Sequence, residues 1–68
     1  MARLQNIEAE RGRAGMSKME FSRKLGVSII TYKRYVDGVS PIPTKTLLLM
    51  TKILNCSADY LLGLREEK

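Results

Sequence analysis

The sequence contains no histidine, a single cysteine and no long apolar run. With no histidine and only Cys56, the common zinc ligand sets cannot be assembled and no internal disulfide can form. No stretch approaches the roughly 20 apolar residues of a membrane span. Residues 1–10 alternate polar and apolar side chains, unlike a signal peptide. We therefore expect a cytoplasmic protein that needs no metal and no cofactor.

The groups that most enzymes use are missing as well. There is no histidine to act as a base, no carboxylate pair that a pocket would bring together, and no glycine-rich phosphate loop. We therefore expect no enzymatic activity and no small-molecule ligand. A chain of 68 residues can bury one core, so we expect a single domain over residues 1–68, with residues 64–68 as a frayed tail.

The positive charge is concentrated in one part of the chain. The formal net charge is +5, and residues 11–34 carry seven basic side chains against the single acid Glu20. Residues 1–10 sum to −1 and residues 35–68 sum to zero. A concentrated positive field attracts polyanions. On charge alone, three interpretations stay open: a nucleic acid, a membrane surface, or a solvated basic face without a partner.

The hydrophobic pattern predicts an all-α, compact five-helix bundle with short connections and no strands. Start and stop signals place the helices at about residues 2–12, 17–26, 28–36, 43–55 and 58–62. Pro43 suits the first position of the fourth helix because its missing N–H is not needed there. The core stripe of that helix would consist of Leu47, Met50, Thr51 and Leu54.

Capping signals delimit the second and third helices. Ser17 and Glu20 match a capping box, Gly26 suits a left-handed C-terminal residue, and Ser28 suits the N-cap of the next helix. The inward face of the third helix would hold Tyr32, Tyr35 and Val36. Its outward face would then carry Ile29, Ile30, Lys33 and Arg34.

Residues 17–36 therefore form two capped helices around a short turn that contains glycine, which is the layout of a helix-turn-helix. In DNA-binding examples, the first helix crosses the phosphate backbone and the second lies in the major groove. The outward Lys33 and Arg34 suit the second role, and Lys18 at the start of the first helix suits a phosphate. Two helices and a glycine turn also occur in unrelated bundles.

The stretch from Gly15 to Ser28 reads GMSKMEFSRKLGVS and resembles the signature of the lambda-repressor-like, or XRE/Cro-type, helix-turn-helix family. Asp37 and Gly38 fall where that family has the turn after its recognition helix, and residues 54–62 are similar to its ending. The resemblance implies a phage or prokaryotic transcriptional regulator. It also implies a homodimer on a palindromic operator of double-stranded DNA.

The resemblance assigns functional positions along the chain. The family's phosphate-contacting positions fall on Lys18, Thr44 and Lys45, and its base-reading positions fall on Ser28, Ile29, Ile30, Thr31, Lys33 and Arg34. The two isoleucines cannot hydrogen-bond a base, so we expect them to pack on thymine methyl groups, or one of them to turn into the core. The guanidinium of Arg34 fits guanine O6 and N7, or else contacts a phosphate.

Two positions depart from the family pattern. Lys18 stands where glutamine is common, which keeps a phosphate contact but loses an amide that braces a neighbouring glutamine. Val36 stands where the family commonly has a glutamate, paired with an arginine that matches Arg11. That ion pair cannot form here, so we expect Arg11 to meet Asp37 or a DNA phosphate.

Apolar residues outside the core stripe indicate a contact between subunits. Leu49 and Ile53 lie one turn apart on the fourth helix, and with Leu62 and Leu64 they would form an apolar patch for a partner. The alternative is ordinary packing against the first and fifth helices. We expect Cys56 to be a small buried hydrophobe, and we expect the methionines to fill gaps in the core: Met16, Met19 and Met50.

One function from another class stays open beside the DNA-binding regulator. The same bundle could serve as an antitoxin-like or adaptor module that binds a protein. Such a module has no need to gather positive charge on its second and third helices. The charge distribution therefore favours DNA as the partner.

Overall fold

The computed structural model describes residues 4–67, and this part of the chain contains five α-helices and no strand. In chain order they are α1 Gln5–Arg13, α2 Lys18–Leu25, α3 Ile29–Val36, α4 Thr44–Leu54 and α5 Ala58–Leu61. The all-α class and the five helices expected from the hydrophobic pattern are confirmed. The expected start of the first helix at Ala2 lies outside the described residues.

The helix-turn-helix is delimited by the capping groups that the sequence predicts. The Ser17 hydroxyl accepts the amide of Glu20 at 3.0 Å, and the Glu20 carboxylate accepts the amide of Ser17 at 3.1 Å. Gly26 ends α2 with φ +74°, a left-handed conformation in which a side chain would be strained. The Ser28 hydroxyl then accepts the amide of Thr31 at 3.1 Å and opens α3. The capping box and both expected helix boundaries are confirmed.

Every helix contributes a fully buried apolar or aromatic side chain to the core: Ile7, Phe21, Tyr32, Met50 and Leu61. The rings of Phe21 and Tyr32 meet edge to face, with centroids 5.4 Å apart, and join α2 to α3. Tyr35, Val36 and Cys56 are buried as expected. This packing fixes which face of α3 points outward.

Three sequence expectations about helix ends and packing are wrong. Pro43 is the N-cap of α4 rather than its first residue, because its ψ of 144° is extended. Thr51 is only half-buried, and its hydroxyl donates to the Leu48 carbonyl at 2.6 Å instead of joining the core. Met19 does not fill a core gap, since it lies exposed on the surface of α2.

Polar contacts attach the short α5 to α1. The Tyr60 hydroxyl donates to the buried Glu10 carboxylate at 2.9 Å, and Arg13 forms an ion pair with the same carboxylate. The Asn6 amide donates to the Tyr60 carbonyl at 2.7 Å. Along the described part of the chain, none of the helices has both the length and the apolar character that crossing a membrane requires.

Candidate nucleic-acid interface

The outward face of α3 carries Ile30, Lys33 and Arg34, all of them exposed. Ile30 keeps 67% of its surface exposed, so the alternative that it turns into the core is wrong. The reason is the helical period, since Ile30 is two residues, or about 200°, from the fully buried Tyr32. Ile29 is the half-buried member of the pair. The structure therefore brings together one apolar and two cationic side chains on a single exposed surface.

The first turn of α3 is held by its own hydroxyl groups. The Ser28 hydroxyl accepts the Thr31 amide and donates to the Thr31 hydroxyl at 3.0 Å. Ser28 is exposed and Thr31 is half-buried. Of the six positions assigned to base contacts, Ser28 is therefore also the residue that caps the helix.

Within the described structure, Arg11 contacts Glu8 and the Met16 carbonyl rather than the expected Asp37. Its guanidinium donates two hydrogen bonds of 3.1 Å to the Glu8 carboxylate and a third, of 2.5 Å, to the Met16 carbonyl. The expectation of an Asp37 or phosphate partner overlooked Glu8, which lies three residues earlier on the same helix face. That i,i+3 spacing was the signal in the sequence that could have found this pair.

Glu8 also contacts α2 and α3. The Tyr32 hydroxyl donates to the Glu8 carboxylate at 2.5 Å, and the Lys18 ammonium lies 3.8 Å from its second oxygen. These residues, with Lys33, Val36 and Asp37, line a pocket of about 90 Å³. We call Glu8, Arg11, Lys18 and Tyr32 the Glu8 cluster. Sequence analysis assigned Lys18 to a phosphate and did not identify Glu8.

The protonation states in the Glu8 cluster follow from these contacts. Burial by itself raises the pKa of Glu8, but hydrogen bonds from Arg11 and Tyr32 and the charges of Arg11 and Lys18 outweigh it and lower that pKa. Burial, reinforced by the hydrogen bond to Glu8, raises the pKa of the Tyr32 hydroxyl. At neutral pH the cluster therefore contains a carboxylate, two cations and a neutral phenol.

The start of α4 presents the other expected phosphate contacts. Thr44 and Lys45 are both exposed and lie in the first turn of the helix. With Leu48, Leu49 and Lys52 they line a shallow depression of about 470 Å³. Leu49 therefore lies on the same helix face as one of the expected phosphate contacts.

The residues assigned to the apolar patch do not line one common depression. Leu62 and Leu64 line a groove of about 370 Å³ together with residues of the α3–α4 connection and of α4: Gly38, Ser40, Pro41, Ile42 and Leu47. Leu64 keeps 72% of its surface exposed. Leu49 lines the separate depression on α4, and Ile53 packs against the core. We call the surface at Leu62 and Leu64 the C-terminal groove.

Comparison with known proteins identifies the family. The helix-turn-helix family model matches residues 7–61, so the chain belongs to that family, in its XRE or lambda-repressor-like class. The resemblance stated from residues 15–28 is therefore confirmed. Among curated proteins, none matches the sequence.

Two solved structures have a fold similar to that of this chain. The P22 c2 repressor protein, crystallised in complex with synthetic operator 9T in the presence of Tl⁺, is 25% identical with a TM-score of 0.81, over 96% of this chain and 98% of that one. The solution structure of the DNA-binding domain of the P22 c2 repressor is 24% identical with a TM-score of 0.77, over 100% of this chain and 92% of that one.

Proposed function

We propose that this protein is a sequence-specific regulator of transcription that binds double-stranded DNA, with α3 in the major groove of a palindromic operator. The observation that carries the proposal is the exposed face of α3, where Ile30, Lys33 and Arg34 point away from the core. A protein of the same fold, the P22 c2 repressor, is bound to a synthetic operator in its crystal structure.

The proposal divides the surface into two roles. Side chains on α3 and its N-cap contact bases, whereas Lys18, Thr44 and Lys45 contact phosphates and set the register on the duplex. The six base-contacting residues are Ser28, Ile29, Ile30, Thr31, Lys33 and Arg34. Arg34 is the principal hydrogen-bonding residue because its guanidinium can bond two acceptors of a guanine.

The experiment that tests this function is a binding-site selection from random duplex DNA, followed by affinity measurements on the preferred site. Arg34→Ala should cost roughly 1–3 kcal/mol there and relax the preference at one base pair. Lys45→Ala should weaken all sequences about equally and lower the log–log salt slope by about one. Lys24→Ala serves as the control, since Lys24 is an exposed cation in the last turn of α2 and does not line the depression that contains Lys45.

The outcomes separate the two classes of function. Enrichment of one sequence and a steep salt dependence would support the DNA-binding regulator. No enriched sequence and an affinity independent of salt would contradict it and favour the protein-interaction module.

The isoleucines have a chemical test of their own. Each should pack on a thymine methyl group, so replacing that thymine with uracil should weaken the wild-type protein. Once the isoleucine that makes the contact is replaced by alanine, as Ile29→Ala or Ile30→Ala, the variant should bind the thymine and uracil duplexes with equal affinity. If the wild type and both variants respond alike, neither isoleucine contacts a thymine methyl.

We further propose that two copies bind the operator as a homodimer through the C-terminal groove. The groove supports this because it is apolar and contains the strongly exposed Leu64 beside Leu62. Exposed apolar surface of this kind is typical of contacts between proteins. Leu49 and Ile53 belong to the proposed patch only if the partner also reaches α4.

A further inference from the structure

The Glu8 carboxylate is held in place by donors from two helices. Tyr32 donates to one of its oxygens at 2.5 Å, and Arg11 donates to both oxygens at 3.1 Å. The Arg11 guanidinium is itself attached to the Met16 carbonyl, at the entry to α2. Because donors from α1 and α3 fix the carboxylate, it cannot swing away from its neighbours.

The fixed carboxylate of Glu8 attracts Lys18, a cation at the protein surface. Its ammonium lies 3.8 Å from the Glu8 carboxylate, with the Lys18 side chain 43% exposed and that of Glu8 21% exposed. Lys18 is also the first residue of α2, where amide groups and a positive charge favour a phosphate. A phosphate that approaches this position must compete with Glu8 for the ammonium and tolerate a second negative charge nearby.

We infer that Glu8 is a positioning residue that restrains Lys18 and so lowers the affinity of this surface for any DNA backbone. The inference rests on the proposed function. Sequence preference then depends on α3, because the phosphate contact at the start of α2 contributes less than an unrestrained lysine would. An ion pair as exposed as this one is worth up to about 1 kcal/mol, which corresponds to about a five-fold change in affinity.

The test is a double-mutant cycle in DNA binding at low salt. Glu8→Gln should tighten binding about two- to five-fold, on the preferred duplex and on a scrambled one alike. In a Lys18→Ala background the same substitution should bring only the small gain that the change in net charge produces by itself. Glu66→Gln makes the same change in net charge on an exposed residue of the C-terminal tail, and it should bring a clearly smaller gain.

A second variant separates the restraint from effects on folding and net charge. Glu8→Gln leaves Arg11 without its carboxylate, whereas Glu8→Gln with Arg11→Gln removes both charges and keeps the net charge of the wild type. This double variant should keep the tighter binding, with thermal melts showing that it is folded.

The results that would overturn the inference are distinct from failure of the proposed function. Three results would each contradict the inference. They are equal gains from Glu8→Gln and Glu66→Gln, a gain from Glu8→Gln that is as large without Lys18 as with it, and no gain from Glu8→Gln with or without Arg11→Gln. A wild-type protein that binds neither duplex would instead contradict the proposed function itself.

Discussion

The phenol of Tyr60 donates a hydrogen bond of 2.9 Å to the carboxylate of Glu10, although the two residues are 50 positions apart in the chain. Glu10 is only 6% exposed, and Arg13 supplies its counter-charge. The contact joins the last helix to the first, next to the Asn6 hydrogen bond to the Tyr60 carbonyl. It therefore stabilises the end of the bundle that carries the C-terminal groove.

The first prediction concerns this contact between α1 and α5. Tyr60→Phe should lower the free energy of unfolding by about 1.5–3 kcal/mol, because it removes a hydrogen bond to a buried charged group. Urea denaturation provides the measurement. In the Glu10→Gln background the cost of Tyr60→Phe should fall, since the charge is gone. A full cost in both backgrounds would mean that the Tyr60 hydroxyl stabilises the protein independently of the charge on Glu10.

The second prediction concerns pH. The pKa of Glu8 in the folded protein is lowered from its ordinary value of 4.5, so its ionised form favours folding. This stabilisation should be complete above about pH 4.5 and should be lost as the pH falls through the lower pKa of the folded state.

The measurement compares the wild type with Glu8→Gln, whose amide does not titrate. The difference between their free energies of unfolding should be largest near neutral pH and should shrink as the pH falls below 4.5. Chemical denaturation across that interval would show it. A difference that stays constant with pH would contradict the role assigned to the ionised carboxylate.

The third prediction uses the two matched helix caps. Ser17 and Ser28 cap α2 and α3 with almost the same geometry, at 3.0 and 3.1 Å from the amide of the residue three positions later. Replacing either with alanine should therefore cost about 1 kcal/mol of stability. Only Ser28→Ala should also change which DNA sequence is preferred, since Ser28 is assigned to the base-contacting surface.

Thermal melts and a repeated binding-site selection would measure the two effects of these substitutions. Ser17→Ala is the control for the loss of a cap alone. If both variants select the same sequence as the wild type, Ser28 caps α3 and contacts no base.

The fourth prediction concerns the proposed homodimer. Leu64→Lys places a charge in the C-terminal groove, and it should weaken binding to a full palindrome more than binding to a half-site. The residue is largely exposed, so the fold should tolerate the change. Leu49→Lys is the comparison, because Leu49 lines the separate depression on α4. Equal losses on both DNAs for Leu64→Lys would exclude the groove from the interface.

The sequence was a good guide where the determining interactions are local. Ser17, Glu20, Gly26 and Ser28 were assigned correctly because a cap acts on a residue at most a few positions away. The error of one residue at Pro43 has a local origin too. Proline suits both the N-cap and the first helical position, and only its ψ angle distinguishes them.

The sequence was a poor guide to the partners of the charged residues. Because Val36 rules out the family ion pair, Arg11 was expected to meet Asp37 or a phosphate, whereas Glu8 on its own helix is its partner within the chain. The competing candidates are all at plausible distances along a helical chain. The i,i+3 spacing of Glu8 and Arg11 favours their pairing within α1, but the further contacts of Glu8 with Lys18 and Tyr32 depend on how α1 packs against α2 and α3.

The sequence by itself determined the five helices, the caps of α2 and α3 and the inward face of α3, because these follow from helical spacing and from contacts within a few residues. The tertiary structure decided that Glu8 meets Tyr32 and Lys18, that Glu10 meets Tyr60, and that Leu49 and Leu64 line different depressions. Those relationships depend on the angles at which helices cross. Local spacing does not predict which side chains 24 or 50 positions apart come into contact.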